Sequence, residues 1–322
     1  MSPFAIASIP KITVILSVYN GADYLRLSVE SVLAQTMVDF EFLIMDDCST
    51  DESWGYLKSL KDVRVKIYQQ EKNRGLFPCL NELIANGKSG LIKLWSQDDI
   101  MNPNCLKETV LFHRKYEHIG FSYSDREQID INGILKAQHY TDHTSEIISP
   151  EMHARISLYT GSIAGNIANV CISKAALEKV GLFHEEMNIA ADFEMWVRLA
   201  REHDTGFINQ KLVKLRDHVG QLSRKRKYFI RRPIEDMHVF NYLLSYVSPE
   251  VKEEGLTNLR KYKFVYYYTL MVKAFLGGDF RTTWLFFKEL WSFGDFFGLS
   301  VSFFKSKISP AIKPDFIKRE NI

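Results

Sequence analysis

The sequence has no uninterrupted apolar run of about 18 residues, the length that a membrane-spanning helix needs. The longest candidate, residues 264–276, is shorter than this and contains Lys273. The first five residues also lack a positively charged segment followed by a long apolar core, so we expect no signal peptide. A cytoplasmic location is therefore the default expectation.

Cysteine and two common phosphate-binding motifs are also scarce or missing. The four cysteines have neither C-x-x-C nor metal-ligand spacing, which predicts buried thiols in a reducing compartment: Cys48, Cys79, Cys105 and Cys171. No G-x-G-x-x-G follows the first predicted strand, and no G-x-x-x-x-G-K-[ST] occurs. A bound nucleotide would need its diphosphate neutralised by other means, and a carboxylate-bound cation is the obvious one.

The charges are unevenly distributed along the 322 residues. Residues 1–210 hold 20 Lys and Arg against 28 Asp and Glu, an excess of 8 acidic groups. Residues 211–322 hold 21 against 11, an excess of 10 basic groups. The acidic part suits a cation site, and the basic part suggests anionic partners.

Alternating apolar and helical patterns in the first hundred residues predict an α/β sheet of parallel strands. Residues 11–19 are nearly continuous in apolar and β-branched residues, which is typical of a strand buried on both faces. Further strands are predicted at residues 40–45, 63–68 and 91–95. Ser49 and Glu52 have the spacing of a capping box and predict a helix start after the second strand. Beyond residue 103 the pattern is less regular, with predicted strands at 119–123, 166–172 and 206–215.

Polar or aromatic residues follow three of these strands where each strand ends. Tyr19 follows the first strand, Asp47 the second, and the pair Asp98-Asp99 the fourth. An adjacent carboxylate pair by itself is also consistent with a solvated acidic turn that caps a helix. Three strands that deliver such residues to one edge favour a ligand site, because parallel sheets bind ligands at the carboxyl ends of their strands.

Five sequence blocks, in their order and spacing, resemble the family 2 glycosyltransferases of the GT-A fold. The blocks are residues 17–21, 31–36, 46–51, 73–76 and 96–99. The resemblance implies an α/β protein of GT-A type, with a Rossmann-like nucleotide-binding sheet, a smaller acceptor-side half and a C-terminal helical extension. We expect a catalytic domain at residues 1–223, divided at about residue 103 into nucleotide-binding and acceptor halves, and a basic, aromatic-rich helical region at residues 224–322.

The same resemblance implies the site residues and a divalent cation, Mn²⁺ or Mg²⁺. Tyr19 and Asp47 are expected at the nucleotide base, and the expected nucleotide-binding set is Ser17, Tyr19, Asp47, Arg74, Gln97 and Asp98. The expected metal ligands are Asp98, Asp99 and His218. Ser96 stands where the family often has an aspartate, so the choice between Asp98 and Asp99 as the principal ligand stays open.

Asp192, in a predicted helix at residues 191–199, has two interpretations. A carboxylate in the first turn of a helix is favourably placed near the helix dipole. The resemblance implies more, because the family has its general base at this point. Ala191 replaces the glutamate that often precedes the base, while the catalytic position is kept.

The sequence therefore predicts a metal-dependent inverting glycosyltransferase of cell-surface polysaccharide synthesis. It would move a sugar from a nucleotide sugar, with a UDP-sugar as the expected donor, to a hydroxyl of a glycan or lipid-linked acceptor. One alternative is a sugar-nucleotide pyrophosphorylase, which would want a glycine-rich basic loop after the first strand. Another is a catalytically weak nucleotide-sugar-binding scaffold, which the departures at Ser96 and Ala191 keep open.

The C-terminal region is basic and aromatic-rich, beginning with the run at residues 224–227. One interpretation is a helical appendix whose aromatic rings pack on one another. The other is a peripheral membrane surface on the inner face of the cell membrane, with basic side chains at anionic headgroups. We expect no nucleic-acid partner, because no recognised motif accompanies the charge.

Overall fold

The structure, a computed structural model, describes residues 9–137, 144–221, 231–294 and 296–308. The chain forms two compact units, and neither is continuous in sequence. Unit 1 comprises Met1–Ile148, Asn166–Glu185 and Glu202–His218, and unit 2 comprises Ser149–Gly165, Glu186–Arg201 and Val219–Ile322. The basic run at residues 224–227 lies outside the described residues.

Unit 1 is built on one mixed sheet. Its strands are β1 (Ile12–Val18), β2 (Phe40–Asp46), β3 (Val65–Gln69), β4 (Leu91–Trp95), β5 (Ile100–Met101), β6 (Ile119–Ile129), β7 (Ile147–Ile148), β8 (Val170–Ser173) and β9 (Asp204–Arg216). Their order is β3-β2-β1-β4-β8-β6-β9-β5, and β7 pairs with β9. The strands β1 to β4 run parallel, whereas β8 is antiparallel to both β4 and β6. The predicted α/β fold class is confirmed.

Helices occur in both units. They are α1 (Ala22–Leu33), α2 (Ser53–Ser59), α3 (Leu76–Asn86), α4 (Cys105–Lys115), α5 (Pro150–Thr160), α6 (Lys174–Val180), α7 (Ala191–Glu202), α8 (Arg231–Tyr246), α9 (Pro249–Leu259), α10 (Val265–Leu276), α11 (Phe280–Ser292) and α12 (Phe296–Ile308). A π-helical segment, Arg260–Phe264, joins α9 to α10. Helices α1 to α4 and α6 belong to unit 1, and the others lie in unit 2 except for the last residue of α7.

The strands in the first half of unit 1 are buried, which explains why they can be predicted from the sequence. Every residue of β2 is buried, and so is every residue of β1 except Ser17. Helix α1 covers the sheet with a buried stripe that includes Leu25, Val29 and Val32. The strands β1 and β2 are therefore covered on both faces, as is usual for the strands of a parallel sheet.

Three predicted local features differ from the structure. The predicted strand at 119–123 continues to Ile129, because β9 pairs with it through several irregularities in register. The strand predicted at 166–172 is shorter, since Ile167–Asn169 form a 3-10 turn before β8. The predicted capping box is wrong: the N-cap of α2 is Glu52, and the Ser49 hydroxyl instead accepts a hydrogen bond from the Asn20 N–H at 3.0 Å.

Unit 2 is helical wherever the structure describes regular secondary structure in it. Its apolar core draws on α5, α7 and the helices from α8 onwards, with Leu158, Val197, Phe240, Leu259 and Phe286 fully or almost fully buried. No helix in the described part of the chain is long and apolar enough to cross a membrane.

Candidate active site

The carboxyl ends of β1, β2 and β4 meet at one edge of the sheet in unit 1. The parallel register pairs Val18 with Asp46 and Leu16 with Trp95. The residues that follow these strands are therefore neighbours, and the Asp47 N–H donates to the Val18 carbonyl at 2.7 Å. The edge expected from the sequence exists, and it is the place where α/β sheets bind ligands.

Gln97 holds the backbone of Tyr19. The Tyr19 N–H donates to Gln97 Oε1 at 2.9 Å, and Gln97 Nε2 donates back to the Tyr19 carbonyl at 3.2 Å. The Tyr19 side chain is 41% exposed. The amide of Gln97 is thus used to fix the turn, and the aromatic ring of Tyr19 is left at the surface.

Asp47 organises the turn that leads into α3. One of its carboxylate oxygens accepts the N–H of Arg74 at 2.7 Å, and the other accepts the N–H of Gly75 at 2.8 Å. Burial, followed by the nearby charge of Asp47, raises the pKa of the Cys79 thiol to about 12. The Ser17 side chain lies near the same thiol. Three predicted nucleotide-binding residues, Ser17, Asp47 and Arg74, are therefore brought together around this turn.

The guanidinium of Arg74 has a protein partner of its own. Its Nη1 lies 2.9 Å from Glu82 Oε2, and both side chains are more than a third exposed. Such an exposed ion pair contributes little stability. The arginine can therefore leave Glu82 for an anionic ligand at small cost.

Two residues without the freedom of glycine adopt left-handed backbone conformations at this edge. Asn20, after β1, has φ 49°, and Cys48, after β2, has φ 63°. The Asn20 side chain accepts the N–H of Thr50 at 2.8 Å, which ties the two strand ends together. Strained backbone of this kind clusters at functional sites, where the surroundings over-determine it.

Asp98, which follows β4, and His218, which follows β9, form a polar pair. His218 Nε2 lies 3.4 Å from Asp98 Oδ2, and their side chains are 13% and 21% exposed. Burial raises the pKa of Asp98 above its ordinary value, and His218 opposes that shift. The His218 ring packs against Tyr24, with 5.1 Å between the ring centroids.

Asp99 faces a different set of groups. Its Oδ1 accepts the Arg216 N–H at 2.8 Å, and its side chain is buried. Burial raises the pKa of Asp99 to about 7, while the hydrogen bonds from Arg216 and Ser96 oppose the shift. Asp99 therefore joins the end of β4 to the end of β9, the strand that leads to His218.

Arg216 is a structural residue of this site that sequence reasoning missed. Its guanidinium donates to the carbonyls of Asp98, Asp130 and Ile131, each at 3.0 Å. The same group lies 4.5 Å from the centre of the Tyr24 ring. Arg216 stands two residues before His218, and no local sequence pattern indicates that this arginine holds two loops, the turn at Asp98 and the turn at Asp130 and Ile131.

The candidate metal ligands can be tested against these contacts. In the part of the chain that the structure describes, no three His, Cys, Asp or Glu side chains come together as a complete metal cluster. Asp98 and His218 are near each other, and at 3.4 Å their contact is longer than a good hydrogen bond. Magnesium and manganese sites often take one or two protein ligands and complete their shell with phosphates and water. The pair Asp98 and His218 fits such a cation.

Unit 2 carries the candidate base. Asp192 is the second residue of α7, its side chain is partly buried, and its Oδ1 accepts the Phe193 N–H at 2.7 Å. Burial raises the pKa of Asp192 to about 6, with Arg232 opposing and Asp236 adding to the shift. Glu194, two residues on, is engaged by Arg198 through two contacts of 2.7 and 2.8 Å. Glu194 is thus held in an ion pair with Arg198, and Asp192 is the candidate base of this turn.

The mixed sheet, with its parallel strands β1 to β4 and the carboxylates at their edge, is an α/β architecture of the GT-A type. Residues 13–171 belong to glycosyltransferase family 2, since they match its family model (Glycosyl transferase family 2). The match favours a glycosyltransferase over a sugar-nucleotide pyrophosphorylase.

Individual relatives agree with this assignment. An uncharacterised glycosyltransferase of Rickettsia prowazekii (strain Madrid E) is 27% identical over 219 residues, which are 66% of this chain and 65% of that protein. The succinoglycan biosynthesis protein ExoO of Rhizobium meliloti (strain 1021) is 32% identical over 110 residues, 34% of this chain and 32% of that one. The chain thus spans less than two thirds of the length of these relatives.

A solved structure shows the same fold. The crystal structure of S. aureus TarS 1–349 in complex with UDP-GlcNAc has a TM-score of 0.62 and 18% sequence identity. The similarity covers 77% of this chain and 70% of that one.

Proposed function

We propose that the protein transfers a sugar from a UDP-sugar to a hydroxyl group of a glycan or lipid-linked acceptor. The observation that carries the proposal is the Asp98–His218 pair at the sheet edge that also bears Tyr19 and Asp47. In a family 2 member, this edge is where a nucleotide sugar would bind.

The donor site would be formed by the edge residues of unit 1. The exposed ring of Tyr19 offers a flat apolar surface for the nucleotide base. Each Asp47 oxygen accepts one backbone N–H and keeps acceptor capacity for a donor on the base. The UDP-GlcNAc complex of TarS supports uridine as the base. The family resemblance supports Ser17, Arg74 and Gln97 as further residues of the nucleotide site.

The residues that would hold a divalent cation, Mn²⁺ or Mg²⁺, are Asp98 and His218. A cation there would supply positive charge to the departing diphosphate. Asp99, the third candidate ligand, would orient the Asp98 turn through Arg216. Its buried carboxylate already accepts a backbone hydrogen bond from Arg216, so we assign it this orienting role and not that of a cation ligand.

Asp192 would act as the general base. It would accept the proton of an acceptor hydroxyl as that oxygen attacks the anomeric carbon. One base suffices for an in-line attack that inverts the anomeric centre. A pKa of about 6 leaves Asp192 ionised at neutral pH and close to the range where a base is most effective.

The aromatic face of α11 supports a membrane-bound acceptor. Trp284 and Trp291 are 63% and 61% exposed, and both rings pack on Phe287 between them. Exposed Arg281 and Lys288 lie on the same helix. Aromatic rings beside basic side chains suit the headgroup region of an anionic bilayer. We propose peripheral attachment at this face, and the name of ExoO supports polysaccharide synthesis as the setting.

The proposal is tested by incubating the full chain with a panel of UDP-, dTDP- and GDP-sugars, with Mn²⁺ or with EDTA. We expect release of nucleoside diphosphate from a UDP-sugar that depends on the cation, and a rise in melting temperature with UDP and Mn²⁺. Binding without turnover, even with a range of saccharide acceptors, would instead support the scaffold alternative. No binding of any nucleotide would refute both.

A further inference from the structure

We propose that Glu235, on α8, is a positioning residue that holds the start of α7 and thereby sets the orientation of Asp192. This inference rests on the proposed function, because it takes Asp192 to be the base. Both residues belong to unit 2. Glu235 lies more than forty residues beyond Asp192 in the sequence, outside the region matched by the family model.

The Glu235 carboxylate binds three consecutive backbone N–H groups just before α7. It accepts from Asn188 at 3.0 Å and 3.2 Å, from Ile189 at 2.9 Å and from Ala190 at 2.9 Å. Its side chain is buried at 9% exposure. The helix starts at Ala191, so the clamp ends two residues before Asp192.

The clamp lies at the entry to α7, where the Ala190 N–H is at the N-cap position and the Asn188 and Ile189 N–H groups precede it. The first N–H groups of a helix have no partner inside it, and together with the helix dipole they favour a negative charge. Most helices meet this need with a short side chain next to the helix start. Here the charge comes from α8, so the position of the α7 start depends on a distant element. A carboxylate is required, because an amide offers a single acceptor oxygen and would turn N–H groups toward other donors.

The neighbour of Glu235 acts on Asp192 in a different way. Asp236 adds to the upward shift of the Asp192 pKa, whereas Arg232 opposes it. The Asp236 carboxylate accepts the Tyr267 hydroxyl at 3.3 Å and lies 4.0 Å from Arg232 Nε. Lys263, on the π-helical segment, also lies near Asp236, and burial lowers the pKa of Lys263. Glu235 therefore fixes the position of the chain that carries Asp192, whereas the charge of Asp236 raises the pKa of Asp192.

The test compares Glu235→Gln and Glu235→Asp with a matched control, Glu253→Gln, which alters an exposed glutamate of α9 in the same unit. Each variant is assayed below its measured melting temperature for kcat, for the KM of the nucleotide sugar and for the pH dependence of kcat. We expect Glu235→Gln to lower kcat by about 10- to 100-fold, the scale of a misplaced catalytic group. The KM of the donor should stay within about twofold, because unit 1 is unchanged, and Glu235→Asp should recover part of kcat.

The pH profile separates positioning from charge. Glu235→Gln should leave the acid limb of kcat where it is in the wild type, whereas Asp236→Asn should move it to lower pH. An unchanged kcat in folded Glu235→Gln would overturn the inference, as would a limb that moves as far as in Asp236→Asn. If Asp192→Asn retained full activity, the assignment of the base would fail instead, whatever Glu235 does.

Discussion

Unit 1 and unit 2 fix their candidate functional carboxylates by different physical means. In unit 1, Asp47 and Asp99 follow parallel strands, and the sheet register brings them to one edge. Their oxygens accept backbone N–H groups from distant segments, as between Asp99 and Arg216. In unit 2, Asp192 lies in the first turn of a helix, and its direction depends on a clamp from another helix. Strand pairing places the residues at the strand ends, whereas the start of α7 is held by a side chain from another helix.

The largest effect should come from Asp192→Asn. Loss of a general base costs about 10²- to 10⁴-fold in turnover, because the acceptor hydroxyl must then lose its proton unaided. Binding of UDP should be unchanged, since the proposed nucleotide site lies in unit 1. Turnover and equilibrium binding, measured on the same preparation, check both statements.

Asp23→Asn is the matched control, because α1 and α7 both begin with Ala-Asp and Asp23 is exposed. It should leave turnover unchanged. A comparable loss in both variants would show that any acid in a first helical turn is sensitive, and would remove the special role of Asp192.

The next largest effect tests the two adjacent carboxylates of unit 1 against each other. Asp98→Asn should weaken Mn²⁺-dependent UDP binding by about 10- to 100-fold, since it removes a proposed ligand. Asp99→Asn should lower the melting temperature and affect the cation less, because its contact is the Arg216 backbone. Titration with UDP by calorimetry, with and without Mn²⁺, compares them. The reverse ranking would place the cation on Asp99.

A smaller effect concerns pH. Asp192 must be ionised to accept a proton, and its pKa is about 6. The value of kcat should therefore fall below pH 6, by about tenfold for each unit of pH, and stay level above it. A pH profile of kcat with saturating donor measures this. An acid limb near pH 4 would mean that the base titrates like an ordinary exposed aspartate.

The smallest effect is expected at the aromatic face of α11. Replacement of Trp284 and Trp291 by alanine should reduce binding to anionic phospholipid vesicles several-fold, because apolar burial at the headgroups is lost. Leu27→Ala, at another exposed apolar side chain but in unit 1, is the control and should bind normally. Vesicle sedimentation measures all three proteins. Equal binding by all of them would remove the membrane proposal.

Much of the fold was predictable, because strands that are buried on both faces have an unmistakable composition. The strand predicted at 91–95 coincides with β4, and the predicted meeting of Tyr19, Asp47 and Asp98 at one edge follows from parallel register. The two-residue strands β5 and β7 were not predicted, since each exists only through pairing with β9.

The side-chain contacts that hold the site are much harder to predict from the sequence than the strands are. The family resemblance places Gln97 at the nucleotide, and no local pattern indicates that its amide is engaged by the Tyr19 backbone. Glu235 belongs to the region at residues 224–322 whose composition indicates only basic and aromatic character. The N–H groups that it binds lie 45 to 47 residues earlier in the sequence. A side chain that caps a distant helix leaves no local pattern, because the spacing that capping motifs rely on is absent.

The turn after β1 also limits how this sequence can change during evolution. A Cβ atom built on Gly21 would lie 2.6 Å from the side-chain amide of Gln97, which is the group that grips Tyr19. A larger residue at 21 would displace that amide and loosen its hold on the Tyr19 backbone. Positions 21 and 97 should therefore vary together among relatives, and a homologue with a side chain at 21 should hold its aromatic residue by another route.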